Sequence, residues 1–238
     1  MRRVLVAIVS LTACGNGSST SRAELAPAPP LGRLEGGVDE TASAMHIHYA
    51  GRRVPLADLP IAARLSGIPM SGDADIAIDL TVPKEAGRTN FTGATGEIDV
   101  SCPRGCRIGD DVAKIRFDDP NVRAFAGDAI DFGHLLLDGA RVSIAVADGT
   151  AKVTRWDVDS KDITLKASGT IELARDFMDS TIEACIAFAG TDTLLHAQPK
   201  TYALLAVTGA MVGSEGLYHI RVTGRLADAK RLPQDCTP

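Results

Sequence analysis

Apolar and polar residues alternate with a period of two along most of the chain after Met45. Ala74, Ile76, Ile78, Leu80 and Val82 alternate with Asp73, Asp75, Asp79 and Thr81, which predicts a strand with one apolar face. Gly96-Glu97-Ile98-Asp99-Val100 repeats the pattern and predicts its antiparallel partner. Val142, Ile144 and Val146 alternate between Asp138-Gly139 and Asp148-Gly149, turn dipeptides that readily take positive φ. Further strands are predicted at 112–117, 151–154, 162–167, 169–173 and 180–189. A closing strand is predicted at 217–226, where Tyr218, Ile220, Val222 and Gly224 alternate with His219, Arg221, Thr223 and Arg225. Turn residues recur roughly every ten residues, the rhythm of an antiparallel meander. Helical signals are few. Leu56 to Leu65 predicts one short helix, started near Asp58-Leu59-Pro60 and stopped by Gly67; Pro early in a helix lacks only an N–H that would be unpaired there. Tyr202 to Val212 predicts a second, weakened by Thr208 and Gly209. The expected fold class is mainly β, an antiparallel meander sheet with one or two short helices.

The first residues follow a different logic. Arg2 and Arg3 precede an apolar run from Val4 to Leu11, and Leu11-Thr12-Ala13-Cys14 has the shape of a lipobox. Residues 1–13 therefore read as a lipoprotein signal peptide and Cys14 as the acylated first mature residue. An ordinary cleaved signal with a cysteine nearby is the plainer alternative. The run is too short to span about 30 Å of hydrocarbon as a helix. Residues 14–44 are rich in Gly, Ser, Thr, Ala and Pro without an apolar period, as in a flexible linker. Residues 45–238 are expected to form one β domain on the periplasmic face of a bacterial membrane.

Composition narrows the partners. Lys and Arg number 25 against 30 Asp and Glu, with no basic stripe. That argues against nucleic acid, whose binding relies on clustered cations. Aromatics are only 4% of residues, so the core must be built from aliphatic side chains. Beyond Cys14, the cysteines Cys102, Cys106, Cys185 and Cys236 allow three pairings. Pro103 and Gly105 suit a tight loop closed between Cys102 and Cys106, which would leave Cys185 to tie down Cys236 near the chain end. An exported protein favours disulfides. Zinc is the competing reading, but no His or second Cys pair is adjacent in sequence at ligand spacing.

Several segments resemble type II secretion system protein N, the GspN family. Leu59-Pro60-Ile61 through Ser71-Gly72, followed by the Ala74–Val82 strand, resembles its short helix and Gly-Pro-Gly turn leading into a strand. Gly96-Glu97-Ile98 and Gly169-Thr170-Ile171 resemble its strand starts. Ile130 to Leu135 with 140–153 resembles a family hairpin, and Gly216 to Leu226 its closing strand. The resemblance runs from about Met45 to Pro233. It implies a long, curved sheet of AsmA-like architecture with an apolar concave side, and a periplasmic accessory role in protein secretion. One departure is the lipobox, where the family carries a membrane helix. Gly15 after Cys14 leans toward the outer membrane under the enterobacterial sorting rule.

Candidate chemistry is sparse. His46 and His48 share a strand face but lack a third metal ligand. Asp110-Asp111 and Asp118-Asp119 are acidic pairs without a calcium-loop pattern. Gly93-Ala94-Thr95-Gly96 lacks the Lys of a phosphate loop and suits a bend or bulge. Trp156, the single tryptophan, reads as a partner contact or a rim residue. No nucleophile, base and orienting group come together, so no enzyme and no cofactor are expected. The leading expectation is a lipid-anchored, non-enzymatic component that docks secretion-system subunits at sheet edges. The alternative is a lipid-binding or lipid-transfer module. Its apolar groove would comprise Ile76, Ile78, Val142, Ile144, Val146, Ile163 and Leu165, unless those residues pack as ordinary core.

Overall fold

The computed structural model describes residues 29–59, 69–110, 112, 114–116, 129–131, 133–206 and 210–238. The chain is mainly β, 59% strand and 12% helix, in a 14-stranded antiparallel sheet that does not close. The strands are β1 (Glu35–Glu40), β2 (Ala44–Pro55), β3 (Met70–Glu85), β4 (Arg88–Thr89), β5 (Thr95–Cys102), β6 (Cys106–Ile108), β7 (Lys114–Arg116) and β8 (Ala129–Asp131). They continue with β9 (Leu135–Leu137), β10 (Gly139–Ala147), β11 (Thr150–Asp159), β12 (Ile163–Glu172) and β13 (Thr181–Gly190). After helices α1 (Asp192–Ala197) and α2 (Pro199–Ala206) come β14 (Met211–Val212), β15 (Tyr218–Arg225) and β16 (Lys230–Leu232). The main path runs β1-β2-β3-β5-β10-β11-β12-β13-β15-β14, and β7 pairs with β8 in a separate two-stranded sheet.

The alternation read from sequence becomes one apolar face because the registers keep it in phase. Tyr49, Ile78, Ile98, Ile144 and Val153 lie directly opposite one another across five strands. A parallel row carries Ile47, Leu80, Gly96, Val146, Ala151, Ile171 and Ile182. Gly96 is required in that row. Its φ is +137°, and a Cβ there would lie 2.0 Å from the main-chain oxygen of Asp79 on β3. β11 carries a bulge, with Thr154 as the extra residue between Val153, opposite Ile144, and Arg155, opposite Ser143.

The two ends of the face are covered. At one end Val54, Leu56, Ala74, Ile76, Cys102, Leu135, Leu137 and Ile163 pack with Phe188 and with Leu194, Leu204 and Leu205 from the helices. At the other, Val82, Ala94, Val146 and Ala151 pack with Leu80, Phe91, Ile171 and Leu173.

Four expectations are corrected. Glu35–Glu40, placed by sequence in the linker, forms the edge strand β1 against 45–50 of β2; its single apolar residue, Val38, is too little to show a period. The helix expected over Leu56–Leu65 begins as a 3-10 turn at Leu56–Asp58 and is extended again at Leu59, and 60–68 lie outside the described residues. The helix expected at Tyr202–Val212 starts earlier, at Pro199, and Met211–Val212 is strand β14. Helix α1 had no sequence expectation. Thr191 caps it by accepting from the Leu194 N–H, and Leu194 is fully buried. The predicted strands at 162–167 and 169–173 are one strand, β12. Gly169 does not break it, because the backbone of β13 packs against it: a Cβ there would lie 2.7 Å from that of Ala184.

Candidate ligand-binding face

The seven proposed groove residues share the apolar face. Ile76 and Val146 are buried within the two covered ends, and Ile163 is buried beside the helices. Ile78, Val142, Ile144 and Leu165 are half-buried. Between the covered ends, Ile98, Val142 and Val153 belong to neither packed cluster and remain half-buried. Ile98, on β5 between Ile78 and Ile144, lies at the centre of this open stretch. It was absent from the sequence-derived groove although its alternation was visible there. Such a surface is aliphatic from Ile78 through Ile98 and Ile144 to Val153, with the Tyr49 ring at its β2 end, and has no charged side chain in that row. It excludes water without offering hydrogen bonds, so it suits hydrocarbon rather than a polar ligand.

The sheet edges are guarded. β1 has the sequence Glu-Gly-Gly-Val-Asp-Glu and is exposed along most of its length. β14 is two residues long and β16 three. Short, acidic and glycine-containing edges resist pairing with another chain.

The cysteines pair as Cys102–Cys106, with Cα atoms 5.9 Å apart, and Cys185–Cys236, 5.8 Å apart. The second bridge pins the C-terminal segment to the face opposite the apolar one. There Thr237 accepts through its main-chain oxygen from the Ser168 hydroxyl at 3.3 Å. His219, 2% exposed, lies beside the bridge. Its Nδ1 is 2.7 Å from the Cys236 main-chain oxygen and 3.1 Å from Asp235 Oδ1, and its Nε2 is 3.2 Å from Glu215 Oε1. Donor atoms of Cys185, His219 and Cys236 fall within 4.8 Å of one another. Sequence spacing hid this grouping, because the fold and not the chain makes the histidine adjacent. With both sulfurs bonded to each other, the cluster works as a clasp.

The remaining candidates have local roles. His46 Nδ1 is 3.1 Å from the Thr81 hydroxyl, and His48 Nδ1 is 3.5 Å from Asp39. Among the described residues neither histidine joins a metal-like cluster. Asp110 Oδ1 accepts from the Val112 N–H at 3.1 Å, a turn bond; Asp111, Asp118 and Asp119 lie outside the described residues. The predicted 112–117 strand is seen as β7, Lys114–Arg116. Gly93 faces the Pro83 ring, where a Cβ would lie 2.7 Å from Cγ. Trp156 donates its indole N–H to the Leu165 main-chain oxygen at 3.2 Å. Cys14 lies outside the described residues, and no described helix is long and apolar enough to cross a membrane.

Charge is organised in exposed pairs. Arg221 lies against Glu183, whose second oxygen accepts from the Thr223 hydroxyl at 3.0 Å. The Arg221 hydrogen bond holds the Glu183 carboxyl below its ordinary value, with a smaller contribution from Thr223 and partial opposition from desolvation.

No family model, curated protein or solved structure matches this chain.

Proposed function

We propose that this protein is an exported, non-enzymatic lipid-binding module, held at a bacterial membrane surface by acylation of Cys14. The observation that carries the reading is the aliphatic face of an open sheet, covered at both ends and half-exposed between them at Ile98, Val142 and Val153. Hydrocarbon laid on this stretch would remove apolar surface from water, at roughly 25 cal/mol per Å². An anchor at Cys14 would keep that face close to a source of acyl chains. The guarded edges shift the reading away from strand addition and toward the face.

The test is lipid content. Full-length protein is purified from membranes in mild detergent, and bound phospholipid is measured by mass spectrometry. Wild type should carry lipid at a fixed stoichiometry, and Ile98→Lys should lose it while keeping its circular dichroism spectrum. Wild-type protein with no lipid above the detergent background would overturn the reading.

A second reading, an accessory of the type II secretion machinery, rests on the GspN-like segments. The segments at 74–82, 96–98, 140–153, 169–171 and 216–226 fall on β3, β5, β10, β11, β12 and β15 of one sheet, whereas Ile130 lies on β8 of the separate two-stranded sheet. Crosslinking in native membranes, followed by affinity capture, should recover secretion-system subunits on this reading. Their consistent absence would remove it.

A further inference from the structure

β11 and β12 form a hairpin whose ladder covers Thr150↔Glu172, Ala151↔Ile171 and Lys152↔Thr170 and then stops. The bulge at Thr154 explains why. Before it, Ala151 and Val153 point to the apolar face; after it, Trp156 and Val158 do, so the alternation shifts by one residue. β12 has no matching bulge and runs against β13 without a shift from Ile163 to Glu172, keeping Ile163, Leu165 and Ile171 on the apolar face. Continued hairpin register would set Trp156 opposite Lys166, an apolar-face residue against a polar-face one. A one-residue slip sends every side chain to the wrong face, so pairing gives way. The strands part, and the Trp156 indole reaches across to Leu165.

The parting leaves a slot of about 660 Å³, lined from both faces of the sheet. Its apolar side consists of Ala140, Trp156, Val158, Ile163 and Leu165. Its other side carries Arg141, Arg155 and Lys166, with Asp157 and, at the closed turn end, Asp159. Arg155 is ion-paired with Asp157. Arg141 and Lys166 are exposed and have no ion-pair or hydrogen-bond partner among the described residues. The slot therefore joins a hydrocarbon-compatible surface to a polar rim with three cations against two carboxylates, in which Asp157 lies directly opposite Arg141 in the ladder. The volume lies within the range of small-molecule sites.

We propose that the slot binds one anionic phospholipid. An acyl chain lies along the apolar face beside Trp156, and the phosphate is held by Arg141 and Lys166 on the opposite face. This rests on the acyl-chain reading of the face and adds to it a position and a headgroup charge. An amphiphile is the ligand class that satisfies both linings at once, because a neutral hydrocarbon leaves the cations unused and a free anion leaves the apolar wall wet.

The sequence supplies the probe, since Trp156 is the single tryptophan. Full-length protein in detergent micelles is titrated with phosphatidylglycerol or phosphatidylcholine bearing brominated acyl chains, and tryptophan quenching is recorded. Phosphatidylglycerol should quench saturably at about tenfold lower concentration than phosphatidylcholine, the ratio expected for one charge-assisted hydrogen bond. The double variant Arg141→Gln, Lys166→Gln should abolish that preference, weakening phosphatidylglycerol quenching by more than phosphatidylcholine quenching, since both lipids carry the phosphate and only phosphatidylglycerol is net anionic. Equal quenching by both lipids, unaltered by the double variant, overturns the headgroup assignment. Bound lipid detected by mass spectrometry without quenching places the ligand away from the slot, overturning this proposal while the face reading stands. Neither lipid nor quenching removes both.

Discussion

His219 Nδ1 lies 2.7 Å from the main-chain oxygen of Cys236, so one buried imidazole on β15 and one disulfide to β13 grip the same residue of the C-terminal segment. The grip closes a long loop. Cys185 and Cys236 are separated by 51 residues, whereas Cys102 and Cys106 are separated by 4. In the chain-entropy account, loops of these lengths are worth about 4 and about 2 kcal/mol. Cys185→Ser/Cys236→Ser should therefore lower stability in urea by about twice as much as Cys102→Ser/Cys106→Ser. Equal losses would mean that the clasp is held by His219 and the strand contacts instead.

Gly96→Ala should be among the most damaging single methyl additions in the sheet. The added Cβ meets the Asp79 main-chain oxygen at 2.0 Å, and neither backbone can move without disturbing the β3–β5 ladder. A loss of about 3 kcal/mol or more is expected from denaturant unfolding, above the usual range for a point substitution. Gly139→Ala, where a Cβ would meet nothing within 4 Å, is the matched control and should be near neutral.

Leu194 is fully buried on α1 and belongs to the cluster that joins the helices to the sheet. Leu194→Ala should cost about 3 kcal/mol through lost burial and the cavity left behind. A change below about 1 kcal/mol would mean that α1 does not contribute to the cooperative unfolding unit.

Glu183 provides an acid limb. Its folded-state pKa is depressed, chiefly by the hydrogen bond from Arg221. Its contribution is thus fully present above the ordinary glutamate pKa and lost as pH falls through the depressed folded value. Glu183→Gln should flatten the acid side of the stability profile in that window and leave the slope near neutral pH unchanged. An unchanged acid limb would mean that the exposed pair with Arg221 is screened out.

The meander was legible because its strands announce themselves by period. Ala74–Val82 and Gly96–Val100 pair as the alternation implied, since a half-buried antiparallel strand leaves its face in the sequence. Elements without that period were illegible or displaced. Glu35–Glu40 has one apolar residue, and α1 is only six residues long, shorter than two turns of apolar repeat. The cysteine spacing suggested the observed pairing, but no spacing could place His219 beside Cys236. The groove residues were legible as one face. Which of them are covered was not, because covering depends on helices and turns that dock from elsewhere in the chain.

The extra residue at Thr154 makes chain parity a structural variable in its own right. Much as a frameshift alters every codon downstream, one added residue inverts the meaning of inward and outward for the rest of β11, with no change in side-chain chemistry. An opening made this way depends on counting rather than on identity. Substitutions at 154 should leave the β11–β12 opening in place, whereas deletion of Thr154 should bring the two strands back into phase, extend their ladder toward the turn at Ser160–Asp162, and seal the sheet. Hydrogen exchange at Leu165 and Ala167 would register the difference as protection gained by the shortened chain alone.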